Sequence, residues 1–243
     1  GRNHNPSRVI GAFENSHQIL IMSFLGAAST LNYIKTDSVP MTPTQNLTIM
    51  CWVYYDTTSE TGRLFMIGRD GINGYGMGIG SGNDSVAGNE TLAVFDGVAW
   101  IDVNVNAGTG WKHLAMVDRG GQQFMYLDGQ VIGGVDVANA VAATQNTTVG
   151  ISYDVSAGSA LSADNRVALI KTWNRALGTT EIETEMRSAF PVFYDGLTMF
   201  WELGRSPGNL TGTASAVDFT QRFVNGNATG TPGWADNPPV ARC

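Results

Sequence analysis

The chain has 243 residues, 43% of them hydrophobic and 14% charged, with 30 glycines, 6 tryptophans and a formal net charge of −7. This hydrophobic content supplies a sizeable core and argues against disorder, while abundant glycine and sparse charge describe many short strands and tight turns, not helices rich in Glu and Lys. The negative balance excludes a nucleic-acid groove, which needs clustered Lys and Arg, and for the same reason disfavours an anionic membrane surface.

Residues 1–17 are polar and irregular and read as an N-terminal arm. The chain opens at Gly1 and not at Met, so any start residue or signal is expected to have been removed. The longest apolar run, Ile19 to Ala28, is about half of a bilayer span and is expected to be a buried strand, with no membrane insertion. Strands are predicted near 18–24, 30–35, 47–55, 63–68, 74–80, 91–96, 99–105, 111–118, 122–127, 130–133, 146–151 and 166–173. In Leu47 to Tyr55, Ile49, Cys51, Val53 and Tyr55 share one face and Met50, Trp52 and Tyr54 the other. Both faces are apolar, which predicts a strand buried on two sides. Between Tyr126-Leu127 and Gln130-Val131, Asp128-Gly129 is a hairpin signature, and Arg119-Gly120-Gly121 serves as a looser one.

One helix is predicted over 179–188, opened by Thr179 as a cap with acids in its first turn, ended by Arg187 and closed by Pro191. Gly196 to Leu203 reads as a further strand, and 204–243, rich in Gly, Pro and Asn, as an irregular C-terminal arm. The main domain is therefore expected over 18–203. Cys51, inside an apolar strand, and Cys243, the last residue, read as two free thiols. Asn-x-Ser/Thr sequons stand at Asn46, Asn83, Asn89, Asn146, Asn209 and Asn227; they carry meaning only in a secretory pathway that glycosylates.

Several stretches together resemble the laminin-G-like jelly rolls of the concanavalin A-like superfamily: Asn46 to Tyr55, Gly74-Tyr-Gly-Met-Gly78, Trp111-Lys-His-Leu-Ala115, Phe124 to Gly129, and Val167 to Trp173 leading into Asn174-Arg-Ala-Leu and a short helix. The resemblance covers about 30–190 and implies an all-β, two-sheet antiparallel jelly-roll sandwich, with the inner sheet concave and variable loops at the rim. Ala168 stands where the family often carries an acid, which weakens transfer of a calcium site. Gly196 to Leu203 with Asn225 to Pro239 is similar to segments flanking such domains in bacterial and phage surface proteins.

Glycosidases of that superfamily set paired carboxylates on one strand, facing a cleft. Here the acids at that spacing, Glu181, Glu183 and Glu185, fall on the predicted helix, where i and i+2 diverge, so they cannot share one substrate. His4, His17 and His113 are scattered, and there is no nucleophile elbow or phosphate loop, so an enzyme is not expected. For binding, alternation in Trp100-Ile-Asp-Val-Asn-Val-Asn106 places Trp100, Asp102, Asn104 and Asn106 on one face. An aromatic ring with amides and a carboxylate is the pairing that glycan recognition uses. Asp96, Asp102 and Asp154 are candidate calcium ligands at the rim; no cofactor is required.

The leading expectation is a non-catalytic structural or recognition component of an outer surface, most concretely a virion decoration or a phage fibre or tail protein. Neighbouring subunits would be its partners, either further copies of the chain or capsid and tail proteins. The alternative is a secreted carbohydrate-binding or adhesion module with a glycan as partner. The location expected is the virion surface or the extracellular space.

Overall fold

The computed structural model describes residues 23–25, 33–36, 46–55, 62–69, 73–79, 91–95, 100–136, 148–151, 153–154, 159–160, 166–203, 227–229, 233–235 and 238–240. In chain order the strands are β1 (Ser23–Leu25), β2 (Tyr33–Lys35), β3 (Asn46–Tyr55), β4 (Gly62–Arg69), β5 (Asn73–Ile79), β6 (Thr91–Phe95), β7 (Trp100–Asn106), β8 (Gly110–Arg119), β9 (Gln122–Leu127), β10 (Gln130–Asp136), β11 (Thr148–Ile151), β12 (Tyr153–Asp154), β13 (Ser159–Ala160) and β14 (Arg166–Trp173). Helix α1 (Thr179–Met186) follows, then β15 (Leu197–Trp201), β16 (Asn227–Thr229) and β17 (Gly233–Ala235). The expected strands are present, within a few residues at their ends, wherever they fall among the described residues.

All pairings are antiparallel, as a chain of hairpins and Greek-key returns requires. The first sheet runs β10-β9-β8-β3-β14-β1-β17, with β15 also paired to β14; the second runs β16-β2-β11-β4-β5-β6-β7. A separate pair is formed by β12 and β13. This is the two-sheet jelly-roll sandwich that the resemblance implied.

Strand β3 is buried on both faces, as its two apolar sets require. Leu47, Ile49, Cys51, Val53 and Tyr55 enter the core between the sheets, joining Ile34, Tyr75, Met77, Leu92 and Val94 from the second sheet and Leu114, Met116 and Met125 from the first. Met50 packs on the opposite side with Ala115, Val117, Trp173, Leu177 and Ile182, and Trp52 with Ala168, Leu169, Ala189 and Phe200. Helix α1 and the segment after it therefore cover the outer face of the first sheet.

A bulge sets the alignment of that cover. In β14 the pairing with β3 slips between Ala168 and Lys171, and Leu169 takes a φ of 51°. The extra residue turns Lys171 away from the inter-sheet core and onto the face beneath α1. There its buried ammonium donates to Glu185 Oε2 (2.7 Å) and to the carbonyls of Glu185 (3.0 Å) and Ser188 (2.9 Å). The last turn of α1 carries no basic residue of its own, so Lys171 meets the negative end of the helix dipole from the sheet. Burial pulls the Lys171 ammonium below its usual range and Glu185 opposes that shift.

Three expectations are revised. The helix spans Thr179–Met186, shorter than 179–188, and its cap is Gly178: Glu181 Oε2 reaches back to accept from the Gly178 amide at 2.8 Å, and Thr179 is already helical. The C-terminal arm is not irregular throughout. β16 pairs with β2 and β17 with β1, extending each sheet by a strand, and Val240 packs beside Trp52 and Phe200. Strands of three residues are too short to show alternation, which is why the sequence did not betray them. The N-terminal arm at 1–17 and Cys243 lie outside the described residues; Cys51 is free and buried, and burial pushes its thiol far up from the ordinary range.

Candidate functional site

Because cross-strand partners share a face, the register maps the outer face of the second sheet. Tyr75, Met77, Leu92 and Val94 point into the core with Ile101 packed against them, so the residues between them point out. One row crosses the whole sheet: Asn227, Lys35, Gly150, Met66, Gly76, Phe95 and Trp100 are successive partners. Beside it run Arg63, Gly78, Ala93 and Asp102, and on the other flank Thr148, Gly68 and Gly74. The middle of this face, on β11, β4 and β5, is thus paved with Gly68, Gly74, Gly76, Gly78 and Gly150. Glycine weakens a strand interior and stands there when something must approach the backbone closely.

Solvent does not reach this face evenly. Gly76 and Gly78 are buried, as are Ala93 (1% exposed) and Phe95 (4%), although they point away from the core. At the β7 margin Asp102 is half-buried, and Asn104 and Asn106 are exposed. Strand β7 does not alternate cleanly. The stretch from Asp102 to Asn106 lies against only Thr91 to Ala93 of β6, so β7 bulges, and Asn104 sits in the bulge at φ 57°. The Asp102 carboxylate secures it, accepting from the Asn104 amide at 2.7 Å, and Asn106 Oδ1 accepts from the Gly108 amide at 2.6 Å.

The sequence-predicted residues therefore separate. By register Trp100, Asp102 and Asn106 stand on the outer face, at the end of the glycine rows, whereas Asn104 is displaced from the series by the bulge. Ile101 and Val103 pack inward as expected. Of the calcium candidates, Asp154 lies on the separate β12–β13 pair and Asp96 lies outside the described residues. Among the described residues no group of three or more His, Cys, Asp or Glu side chains is arranged to hold a metal ion.

The three helix acids diverge to three structural partners. Glu181 pairs with Arg175 (2.7 Å) and caps the helix, Glu183 accepts from Gln130 Nε2 (3.1 Å), and Glu185 is spent on Lys171 and on the amides of Val192 and Phe193 (2.7 Å each). Both partners of the Arg175–Glu181 pair respond: hydrogen bonding to Arg175 holds the Glu181 carboxyl below its usual range, and the Arg175 guanidinium is raised by the same contact.

A second polar and aromatic cluster was not foreseen. On the outer face of the first sheet, Trp111, Tyr54 and Arg166 are successive partners across β8, β3 and β14. The Arg166 guanidinium lies 4.5 Å over the Tyr54 ring, and Tyr54 meets Trp111 edge-on at 5.5 Å. The three residues are contributed by segments far apart in the chain, so no local motif could have joined them.

The sequence matches the family model of the concanavalin A-like lectin/glucanases superfamily over residues 28–183, more than half its length, and the chain belongs to that family. Among solved structures, a Bacteroides ovatus protein provisionally called carbohydrate-binding is similar, with a TM-score of 0.65 and 16% identity over 91% of this chain; the chain spans 62% of that protein's length. A heptameric SAP-like pentraxin from Limulus polyphemus is also similar, with a TM-score of 0.54 and 15% identity over 73% of this chain and 90% of the pentraxin. No curated protein matches the sequence.

Proposed function

We propose that the protein is a non-catalytic, extracellular carbohydrate-binding module that holds a saccharide along the β7 margin of the second sheet. The observation that carries this reading is the register that sets Trp100, Asp102 and Asn106 on the outer face at the β7 margin, where Asp102 and Asn106 reach solvent. Half-buried Asp102 and exposed Asn106 supply hydroxyl partners at that margin, and Trp100, which the register sets in the neighbouring outer row, is the residue type whose flat ring a pyranose CH face needs. The B. ovatus protein of the same fold supports the reading.

Two further features bear on it. Glu181, Glu183 and Glu185 are each committed to a structural partner, which supports binding without hydrolysis. Calcium is proposed to be dispensable, since Asp102 already spends one oxygen on the bulge it secures. The virion or phage-fibre form of the sequence expectation finds no support in the fold or in the similar structures, and the recognition module fits better. Association between copies is proposed in addition, on the ground that the pentraxin of the same fold is heptameric; light scattering of the purified chain tests it.

The deciding experiment is calorimetric titration of the full chain with a panel of neutral oligosaccharides. Saturable binding that Trp100→Ala abolishes, with the melting temperature within a few degrees of wild type and affinity unchanged by EDTA, is the expected result. Binding of nothing in the panel, or turnover of a polysaccharide, would sink the reading.

A further inference from the structure

The row formed by Trp111, Tyr54 and Arg166 lies on the opposite sheet from the glycine floor, at the margin of the cover formed by α1 and the segment that follows. All three residues are half-buried, so each keeps surface in water. Trp111 is packed on one side against the cluster of Trp52, Ala168 and Phe200, which fixes it in place. Tyr54 meets it at an interplanar angle of 69°, so the two rings make a corner and not a stack.

Arg166 is the unusual member. Its guanidinium lies over the Tyr54 ring and has no carboxylate partner among the described residues, in a chain whose acids outnumber its Lys and Arg by 21 to 14. A cation–π contact uses no N–H donor as a hydrogen bond, so the fork of the guanidinium can still grip a planar anion in bidentate fashion. Lys112, next to Trp111 in β8, sits 3.9 Å from Asp128 and is already paired. One guanidinium without a carboxylate partner among the described residues suits one negative charge; a nucleic acid or another polyanion would need a row of them.

We infer that this corner is a second saccharide site and that it takes a carboxylate-bearing sugar. The carboxylate docks on Arg166, and the CH face of the same ring rests in the angle between Tyr54 and Trp111. The inference deepens the carbohydrate reading and rests on it, but it uses none of the residues at the β7 margin.

The test is titration of the full chain with tri-galacturonate and with its methyl ester, which has the same shape without the charge. The acid is expected to bind at least about tenfold more tightly than the ester, the margin of a charge-assisted hydrogen-bonded pair over a neutral one. Arg166→Gln should erase that preference and Arg166→Lys, which keeps the charge but loses the fork, should retain part of it. Thermal melts of both variants show that the half-buried site still folds. Equal affinity for acid and ester in the wild type, or a preference that survives Arg166→Gln, overturns the inference even if neutral glycans bind at the β7 margin. Failure to bind either probe or any neutral glycan overturns the carbohydrate reading and this site with it.

Discussion

Among single residues, the Lys171–Glu185 pair carries the largest expected energy. Its side chains are 2% and 0% exposed, and the carboxylate also holds the amides of Val192 and Phe193. Removing one partner leaves the other charged and desolvated, so Lys171→Ala should cost about 3–5 kcal/mol in urea denaturation. Replacing both with Lys171→Met and Glu185→Leu should recover part of that loss but not all, because the two amides lose their acceptor. Two buried groups set opposite pH dependences. Burial and the nearby Lys171 hold His113 well below its ordinary 6.5, at about 3. The unfolded chain therefore takes up the proton first, and this residue's contribution to stability is lost as pH falls from about 6.5 towards 3. His113→Met should flatten that limb of the urea midpoint against pH. Asp118 is pushed up to about 6 by burial, with Oδ2 left without a partner among the described residues, so the folded state takes up its proton first and stability from this group is lost as pH rises through about 4 to 6. Asp118→Asn should accordingly raise the midpoint at pH 8 and change it little at pH 4.

Elements are held in register by a few turns whose geometry only glycine satisfies easily. The two hairpins of β8-β9-β10 reverse at Gly120-Gly121 and Asp128-Gly129, all four residues having positive φ, as a tight primed turn requires. What surrounds each glycine differs. A Cβ at Gly120 (φ +64°) would meet nothing within 4 Å, whereas at Gly196 (φ +73°) it would lie 2.8 Å from Asn174 Oδ1 and 3.1 Å from Arg175 Cγ. Gly120→Ala should therefore cost only the backbone term, about 1 kcal/mol, and Gly196→Ala roughly 1–2 kcal/mol more, read as a difference in thermal denaturation midpoints. Equal losses at the two positions would show that the crowding at Gly196 relaxes without penalty.

For the whole molecule, the central pairing joins distant segments: Val53 lies opposite Val167 and Trp52 opposite Ala168. Closing so long a loop precedes any gain from the core, so refolding should take from tens of milliseconds to seconds, and stopped-flow fluorescence of the buried tryptophans measures it. Microsecond refolding would contradict this topology. The sandwich also divides its faces unequally. Helix α1 and Ala189-Phe190 seal much of one outer face, and no described helix lies on the other, where the glycine rows and β7 stand. Edge strands β7 and β10 both carry register shifts, which twist their free backbone away from edge-to-edge pairing with another copy.

By itself the sequence determined the longer strands between 46 and 173, both hairpins and the two-faced burial of β3, because each rests on local periodicity or on turn chemistry that neighbouring residues fix; the jelly-roll class came with the family resemblance, and the two-residue strands β12 and β13 are too short to show in a pattern. The sequence also placed the helix and the divergence of its acids, since i and i+2 on a helix cannot converge. Only the tertiary structure decided where the bulges fall. Strict alternation from Val167 would send Lys171 into the core and would keep Asn104 in line with Trp100 and Asp102; one extra residue at Leu169 and the slip in β7 change both outcomes. Likewise the glycine floor and the row of Trp111, Tyr54 and Arg166 exist only once β3, β8 and β14, or β11, β4, β5 and β6, are laid side by side. Register is a property of paired strands, and a single chain read in order does not contain it.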